Sequence, residues 1–488
     1  MKKFLALLLS VSFLLSGCMQ VRAGGESGEA EPTGNAEGAK LLSQYALAEA
    51  ALPQLPAEPS EAELMAAYEK LDYEKMGSEA YQKAQTELWA DFDERSRAYY
   101  NAVRALRGDG VDAAAVPALT DYSVKTAAAL LSDTDGENVV YSPANLYLAL
   151  SMLSETTDGG TRAQLLDLLG AENEETVRTT ADALWRSLYA DSASGKTLLA
   201  NSLWLRDGQE YREDTLRLLA ERYYASVYSV PMGAEDANRA VRAWLNDNTG
   251  GLLSDAAEGV KTTPETVLLL LSALYFKDQW SDPFFAGNTY EDVFFSADGG
   301  QRTQFMHKTQ DHAQYVREKS CTIAQLRFRG GESMAFLLPD EDVTLSSLLG
   351  DETLMRGFLS GMNEREDTQS AKLLWSVPKL DVSSDLELTS ALKALGISDA
   401  FDADRADFSP LADFALPTAV SQVQHAARVT LDEEGCEAAA FTAIAVAETA
   451  LPPQDLPTVE MNLNRPFAFL ITGADGLPLF LGAVNTVK

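Results

Sequence analysis

The pattern of apolar and polar positions changes from helix-like to strand-like along the chain. From about Asp112 onward, helical spacing comes first. Ser142-Pro143 predicts a helix start, with serine as the cap and proline at the first helical position. The stretch from Leu146 to Leu153 is apolar on most sides, so this helix should be deeply buried. Gly159-Gly160 is expected to end it.

Strand-like apolar runs dominate the second half of the chain. They are Val267 to Phe276, Met334 to Leu338, Lys372 to Val377 and Arg428 to Leu431. The tail predicts a hairpin of two buried strands, Pro466 to Ile471 and Leu479 to Val484, around Ala474-Asp475-Gly476. Helices followed by strands favour an α+β fold with mainly antiparallel sheets.

The segments before this body differ from it in composition. Val21 to Lys40 is rich in Gly, Glu and Ala and has almost no large apolar residue, which is typical of a disordered tether. Leu41 to Gly110 carries apolar and aromatic residues at helix-like spacings, interrupted by prolines. It predicts two or three short helices that pack on the body. The expected organisation is a signal peptide over 1–17, a tether over 18–40, a helical extension over 41–112 and the main domain over 113–488.

The first residues are typical of an export signal. Two lysines precede the apolar run Phe4 to Leu15, which is shorter than the roughly 20 residues that span a bilayer. Leu15-Ser16-Gly17-Cys18 resembles the lipobox of bacterial lipoproteins, in which the cysteine thiol accepts lipid. The alternative is an ordinary signal peptide with an incidental cysteine. We expect an exported protein held through Cys18 at the extracellular face of a bacterial membrane.

Charge and cysteine content restrict the partners. With 73 acidic and 39 basic residues, the formal net charge is -34, which disfavours binding to nucleic acid. If lipid occupies Cys18, the cysteines that remain are Cys321 and Cys436. They lie too far apart to indicate a disulfide framework, so both are expected to be free thiols.

The familiar enzyme motifs are missing from the sequence. It contains no Gly-x-Ser-x-Gly elbow, no His-Glu-x-x-His helix and no phosphate-binding glycine loop. His307 and His312 are five residues apart, which does not place them on one helix face, so we interpret them as a strand-end and a loop histidine. A catalytic triad built on His425 is permitted by spacing but disfavoured. The sequence predicts neither an enzyme nor a metal or cofactor site.

The most informative segment is the stretch of small residues from Asp432 to Pro457. It follows a strand and precedes a proline-rich stretch. Alanine favours a helix, whereas the β-branched and small residues also tolerate a strand, and large side chains that would block insertion into a sheet are few. Such a composition suits a segment that is an exposed loop in one state and a buried strand in another, with Gly435 as a hinge.

These residues resemble the reactive-loop hinge of the serpins, a family of protease inhibitors. The resemblance rests on Glu433-Glu434-Gly435, then Cys436, then Glu437-Ala438-Ala439-Ala440, and extends from about Ala113 to the end of the chain. Further matches are Asn138 to Pro143, Trp244 to Gly251, Ala273 to Trp280, Ala406 to Ser409, His425 to Ala427 and Asn464 to Phe467.

The resemblance implies a fold and a set of residue roles. The fold would have several helices on three mainly antiparallel sheets with an exposed reactive loop. Trp280, Lys379 and Glu433 match the family's "breach", where the loop enters the main sheet. Ser142, Ser272 and His425 match its "shutter" below. Two residues depart from the pattern: Cys436 stands where Thr or Ser is usual, and Ser272 where Asn is usual.

The resemblance also implies a mechanism. A serine protease would cut the loop, remain attached as an acyl-enzyme and be dragged along as the loop inserts into the sheet. Family spacing puts the cut after Thr449, with Glu448 or Ala450 as neighbouring choices, and the small residues suit an elastase-like protease. We expect a monomer. The main alternative is a non-inhibitory surface binding protein of the same fold; a solute-binding lipoprotein and a lipoprotein hydrolase are further alternatives.

Overall fold

Helices and two large β-sheets make up the part of the chain that the structure describes. The computed structural model describes residues 36–132, 134, 136–192, 195–249, 260–362, 365–436 and 456–487. Three sequence predictions therefore lie outside the described residues: the signal peptide with Cys18, the hinge residues 437–440 and the scissile candidates 448–450. The described residues belong to one compact unit.

The helices concentrate in the first half of the described chain. They are α1 (Ala36–Tyr45), α2 (Glu61–Glu69), α3 (Tyr73–Met76), α4 (Ser78–Arg107), α5 (Val116–Leu131), α6 (Pro143–Glu155), α7 (Gly159–Leu169), α8 (Glu174–Leu188), α9 (Glu213–Arg222), α10 (Glu235–Asn248), α11 (Leu345–Leu349), α12 (Glu352–Leu359) and α13 (Thr389–Ala394).

The strands concentrate in the second half. They are β1 (Ala46–Ala48), β2 (Val139–Tyr141), β3 (Ala190–Asp191), β4 (Gly195–Arg206), β5 (Ala225–Val230), β6 (Leu268–Gln279), β7 (Thr289–Ser296), β8 (Gly299–Arg317), β9 (Cys321–Arg327), β10 (Ser333–Pro339), β11 (Gln369–Pro378), β12 (Leu380–Glu387), β13 (Gln422–Leu431), β14 (Gly435–Cys436), β15 (Thr458–Asn462), β16 (Phe467–Thr472) and β17 (Pro478–Val484).

The first sheet has the order β1-β5-β4-β6-β14-β13-β12, with β3 paired to β4. Its two long central strands, β6 and β13, are parallel and pair directly from Leu269–Gln422 to Leu274–Ala427. Side chains of β6 alternate between the main core and a second core beneath α10. The sheet is therefore buried on both faces at its centre, which explains the near-continuous apolar run of β6.

The second sheet has the order β15-β11-β8-β9-β10-β16-β17-β2, with β7 paired to β8. The 19-residue β8 pairs with β7 through its first part, with β11 from Phe305 to Tyr315 and with β9 at its end. The expected α+β fold is confirmed, but the second and third of the three expected sheets are joined through β8. The predicted tail hairpin is confirmed as the antiparallel pair β16–β17.

Helix α6 begins as the sequence predicts and ends earlier than expected. Ser142 Oγ accepts a hydrogen bond from Asn145 N at 3.0 Å, and every residue of the helix is buried. The prediction that Gly159-Gly160 ends the helix is wrong. Thr156 is the C-cap of α6, and the two glycines form the first turn of α7 behind the N-cap Asp158. Glycine marks a helix start here because Asp158 supplies the cap.

The N-terminal extension attaches to the edge of the first sheet. Helix α1 begins at Ala36, so the tether expected to reach Lys40 can extend no further than the residues before it. Strand β1 pairs antiparallel with the edge strand β5. Helix α4 is 30 residues long and buries Tyr99. No helix in the described ranges combines the length and the apolarity that crossing a membrane requires.

Candidate functional site

A tight turn reverses the chain where the small-residue segment leaves the first sheet. Strand β13 ends at Leu431, and the chain returns as β14. Asp432 N donates to Gly435 O at 3.0 Å, and Asp432 Oδ1 accepts from Glu434 N at 2.9 Å and from Gly435 N at 3.2 Å. The aspartate side chain therefore fixes the turn through backbone hydrogen bonds.

Strand β14 lies between β6 and β13 at the upper end of the sheet. Gly435 pairs with Gln279 and Cys436 with Asp278 on β6, while Cys436 also pairs with Leu431 on β13. Below this point β6 and β13 pair with each other. We call the boundary between β6 and β13 the seam. The first two residues of an additional strand thus already separate β6 from β13 at the top of the seam, and the two strands pair directly from Leu274–Ala427 downward.

The space around Gly435 admits no side chain. A Cβ atom at this position would overlap the carbonyl oxygen of Asp278 and approach the Cα of Gln279 to 2.7 Å. The sequence suggests glycine here as a hinge. The structure adds a steric reason, which is the close approach of the β14 and β6 backbones.

Cys436 faces the main core. It is 1% exposed and belongs to the same cluster as Leu270, Leu274 and Phe276 of β6. Cys436 and Cys321 are both buried, and neither forms a disulfide bond within the described part of the chain, as the sequence predicts. The inward direction of Cys436 determines which alternate residues of the following segment would face inward if β14 became longer.

Trp280 anchors the turn from the side of β6. Its indole is fully buried and stacks on Phe328, with ring centroids 4.4 Å apart. The indole Nε1 donates to Asp432 O at 3.1 Å, and the backbone N donates to Glu434 O at 2.8 Å. The structure therefore places Trp280 directly against the start of the small-residue segment.

An ion pair holds the same turn from the side of β12. Lys379 Nζ lies 2.8 Å from Glu433 Oε2, and Phe284 N donates to Glu433 O at 2.9 Å. Burial raises the pKa of Glu433, but the hydrogen bond and the positive charge of Lys379 lower it, and the pKa lies below its usual value. The turn after β13 is thus contacted or formed by all three predicted breach residues, Trp280, Lys379 and Glu433.

A buried polar cluster lies lower on the seam. His425 Nε2 accepts from Ser142 N at 2.9 Å, so Nδ1 carries the proton and donates to Ser272 Oγ at 3.2 Å. This cluster joins helix α6 to β6 and β13. With both ring nitrogens engaged and the ring fully buried, His425 is not placed to act as a catalytic base.

Two asparagines that the sequence analysis missed extend this cluster. Asn145 Nδ2 donates to Ala273 O at 2.7 Å, and Asn201 Nδ2 donates to Asn145 Oδ1 at 3.0 Å. Both are almost completely buried. A detectable signal was the amide side chain of Asn145 within the first turn of an otherwise apolar helix.

Acid is expected to destabilise the protein through His425. Burial lowers the pKa of His425 to about 4, so the folded state favours the neutral ring. The contribution of this buried neutral ring to the free energy of unfolding is complete above the unfolded-state pKa of about 6.5. As the pH falls toward 4, the free energy of unfolding decreases by about 3 kcal/mol. Thermal unfolding measured from pH 7 to pH 4 should show this loss in the wild type and lack it in His425→Gln. An equal acid dependence in both proteins would contradict the assignment.

The other two histidines are not where the sequence analysis expected them. Both lie inside β8, so their interpretation as a strand-end and a loop residue is wrong. His307 stacks on Tyr290, with ring centroids 4.0 Å apart. His312 has φ of 56° at a bulge opposite β11. Within the described ranges, no group of three or more His, Cys, Asp or Glu side chains is arranged to hold a metal ion.

Comparisons with known proteins agree on one family. The family model for serpins, described as serine protease inhibitors, matches residues 117–487. Serpin-Z1B of Triticum aestivum is 30% identical over 382 residues, covering 75% of this chain and 94% of the relative. The leukocyte elastase inhibitor of Homo sapiens is 28% identical over 375 residues, covering 75% and 98%. The crystal structure of the thermophilic serpin tengpin in its native state has a TM-score of 0.70 and 25% identity, covering 78% and 96%.

Proposed function

This chain belongs to the serpin family, and from that premise we propose that it inhibits serine-type proteases as a suicide substrate. The observation that carries the proposal is β14, whose two residues already lie between β6 and β13 at the top of the seam, while the two strands pair directly from Leu269–Gln422 to Leu274–Ala427. The segment that follows is the bait loop, 437–457. The protease serine attacks the loop and forms an acyl-enzyme, and the chain itself supplies no catalytic residue.

Extending the register of β14 shows what insertion would require. The antiparallel pairs Gly435–Gln279 and Cys436–Asp278 continue to Ala438 opposite Phe276 and Ala440 opposite Leu274. Because Cys436 faces the main core, these two alanines would face it as well. Small side chains at these positions suit a strand that must enter a packed interior.

The same register brings Thr442 opposite Ser272. Insertion to this depth must separate His425 from Ser272, which face each other across the seam. The Thr442 hydroxyl would then lie between them and could replace the hydrogen bond that is lost. A polar residue at this depth therefore satisfies the buried cluster in the inserted state as well.

The free energy gained by loop insertion supports inhibition by this mechanism. A new central strand gains on the order of ten ladder hydrogen bonds at about 1 kcal/mol each. That gain rivals the whole stability of an ordinary domain, about 5–15 kcal/mol, and is enough to distort an attached protease. The uncut protein is then kinetically trapped above its lowest free energy.

We further propose a target class and a location. We place the cut after Thr449, or after Glu448 or Ala450. The small side chains of Thr449 and Ala450 fit the small specificity pocket of an elastase-like protease. A cut after Glu448 would indicate a glutamate-selective protease. Leu15-Ser16-Gly17-Cys18 supports an exported monomeric lipoprotein held by lipid at the extracellular face of a bacterial membrane.

A panel of serine proteases tests the proposal. Mixing the protein with elastase-like, glutamate-selective and trypsin-like enzymes should give an adduct that survives SDS with the elastase-like enzymes and none with the trypsin-like one. Mass spectrometry of the released C-terminal peptide then identifies the cut. Cleavage within 448–450 by the elastase-like or glutamate-selective enzymes without any adduct would refute inhibition and favour a binding protein of the same fold.

A further inference from the structure

Two buried carboxyl groups meet beside the inserted end of the hinge. Asp278 is 3% exposed and Glu332 is 6% exposed. Asp278 lies on β6 as the register partner of Cys436, and Glu332 lies in the turn between β9 and β10 of the second sheet. Gly330 N, in the same turn, donates to Asp278 Oδ2 at 3.0 Å. Asp278 therefore ties the top of β6 to the second sheet.

The pair requires a proton to be stable. Glu332 Oε2 is buried without a hydrogen-bond partner among the described residues, and a Cβ on Gly330 would overlap both this oxygen and Asp278 Oδ2. Two ionised carboxylates cannot share such a site without strong repulsion. A single proton shared between them removes the repulsion and gives the orphan oxygen a partner.

The N-terminal extension covers this pair. A cavity of about 160 Å³ lies between α4 and the top of β4 and β6, and both carboxyl groups line it. Helix α4 contributes Tyr99, which is almost completely buried. The cover keeps the pair away from bulk water, so the cost of charging both groups stays high.

The charged groups around the cavity do not neutralise the pair directly. Asp278 accepts hydrogen bonds from two backbone N–H groups, those of Gln279 and Gly330, and within the described ranges neither carboxyl takes part in an ion pair. The phenols of Tyr99 and Tyr100 have pKa values raised by burial and stay neutral. The other titratable or charged side chains that line the cavity are Glu58, Arg107, Lys196, Lys277 and Arg329, and Cys436 faces the pair from β14.

We propose that the Asp278–Glu332 pair is a proton-operated lock on loop insertion, which rests on the proposed inhibitory function. While the two carboxyl groups share a proton, β6 stays tied to the second sheet and the seam stays closed. When the proton passes to solvent, repulsion between the two carboxylates loosens the top of β6. Since β6 must part from β13 for the loop to enter, insertion becomes faster.

The operating range follows from the environment of Asp278. Burial, and then the charge of Glu332, raise the pKa of Asp278 to about 8. A carboxyl whose pKa is raised in the folded state contributes stability that is complete below its unfolded pKa of about 4 and is lost as the pH rises through 8. The lock is therefore closed in acid and released in mild alkali.

Spontaneous conversion of the uncut protein measures the lock. Wild-type protein held below its unfolding temperature at pH 6 to 9 is sampled for a form that resists urea and no longer binds protease. The conversion rate should rise up to about tenfold per pH unit and level off above pH 8, as expected for loss of one proton. Glu332→Gln can donate to Asp278 without a shared proton, so its rate should stay low and independent of pH.

Two controls separate this proposal from the proposed function. Glu265→Gln changes an exposed carboxylate on the surface and should keep the wild-type profile. Asp278→Asn, which also places an amide in the pair, should flatten the profile like Glu332→Gln. An unchanged pH profile in both amide variants would overturn the lock. If loop cleavage gives no urea-resistant form at any pH, insertion itself fails and the proposed function falls instead.

Discussion

Cutting the bait loop is expected to raise the thermal unfolding midpoint of the wild-type protein by roughly 10–20 °C. About ten new ladder hydrogen bonds at about 1 kcal/mol each, divided by the unfolding entropy of a domain of this size, give a shift of that order. Ala438→Arg should abolish the rise. Extension of the β14 register points residue 438 into the main core, where an unpaired guanidinium costs several kcal/mol.

The same substitution should also convert an inhibitor into a substrate. Proteases would cut Ala438→Arg at the same bond and leave without an SDS-resistant adduct. Glu437→Gln is the control, because residue 437 alternates to the other face, opposite the half-buried Lys277, and a neutral side chain of the same length should still insert there. Equal loss of trapping in both variants would show that the face of the strand does not decide the outcome.

Gly435→Ala is expected to reduce trapping roughly tenfold or more. The added Cβ overlaps the backbone of β6 at Asp278, so β14 can stay in the seam only if one backbone moves. Overpacking of this kind costs about 1–3 kcal/mol, and it acts on the first step of insertion. The ratio of released to trapped protease, read from gels after complete cutting, measures the effect.

Gly350→Ala provides the matched control for this change. Gly350 ends helix α11 with ordinary helical backbone, and a Cβ there would only touch Ser346 O at 3.5 Å. Its partitioning between trapping and release should equal that of the wild type. Wild-type partitioning in Gly435→Ala would mean that β14 leaves the seam without consequence and that insertion does not begin from it.

Local signals predicted the elements whose determinants lie close together in the sequence. Ser142-Pro143 identified the start of α6 because a cap and the residue it serves are neighbours. The apolar run of β6 and the tail hairpin were predictable for the same reason. Family resemblance singled out Glu433 to Ala440 as a hinge, which stays a prediction, and only the structure adds why Gly435 must lack a side chain.

Features that depend on distant partners were missed or misread. His307 and His312 were placed wrongly because β8 continues through a bulge that the sequence pattern does not reveal. Asp278 and Glu332 are more than fifty residues apart, and nothing near either residue shows that they meet. The attachment of β1 to β5 was likewise invisible, since a three-residue strand carries almost no periodicity.

Strand β1 also affects whether copies of the molecule can associate through the edges of their sheets. An uncovered β5 would present a row of free N–H and C=O groups, which is a template for strands from neighbouring chains. Strand β1 pairs with that edge and so covers the free backbone groups of β5. Because β1 is only three residues long, its own outer edge exposes few backbone groups for another strand to pair with. This short strand thus protects the edge of the first sheet against pairing with other copies of the chain.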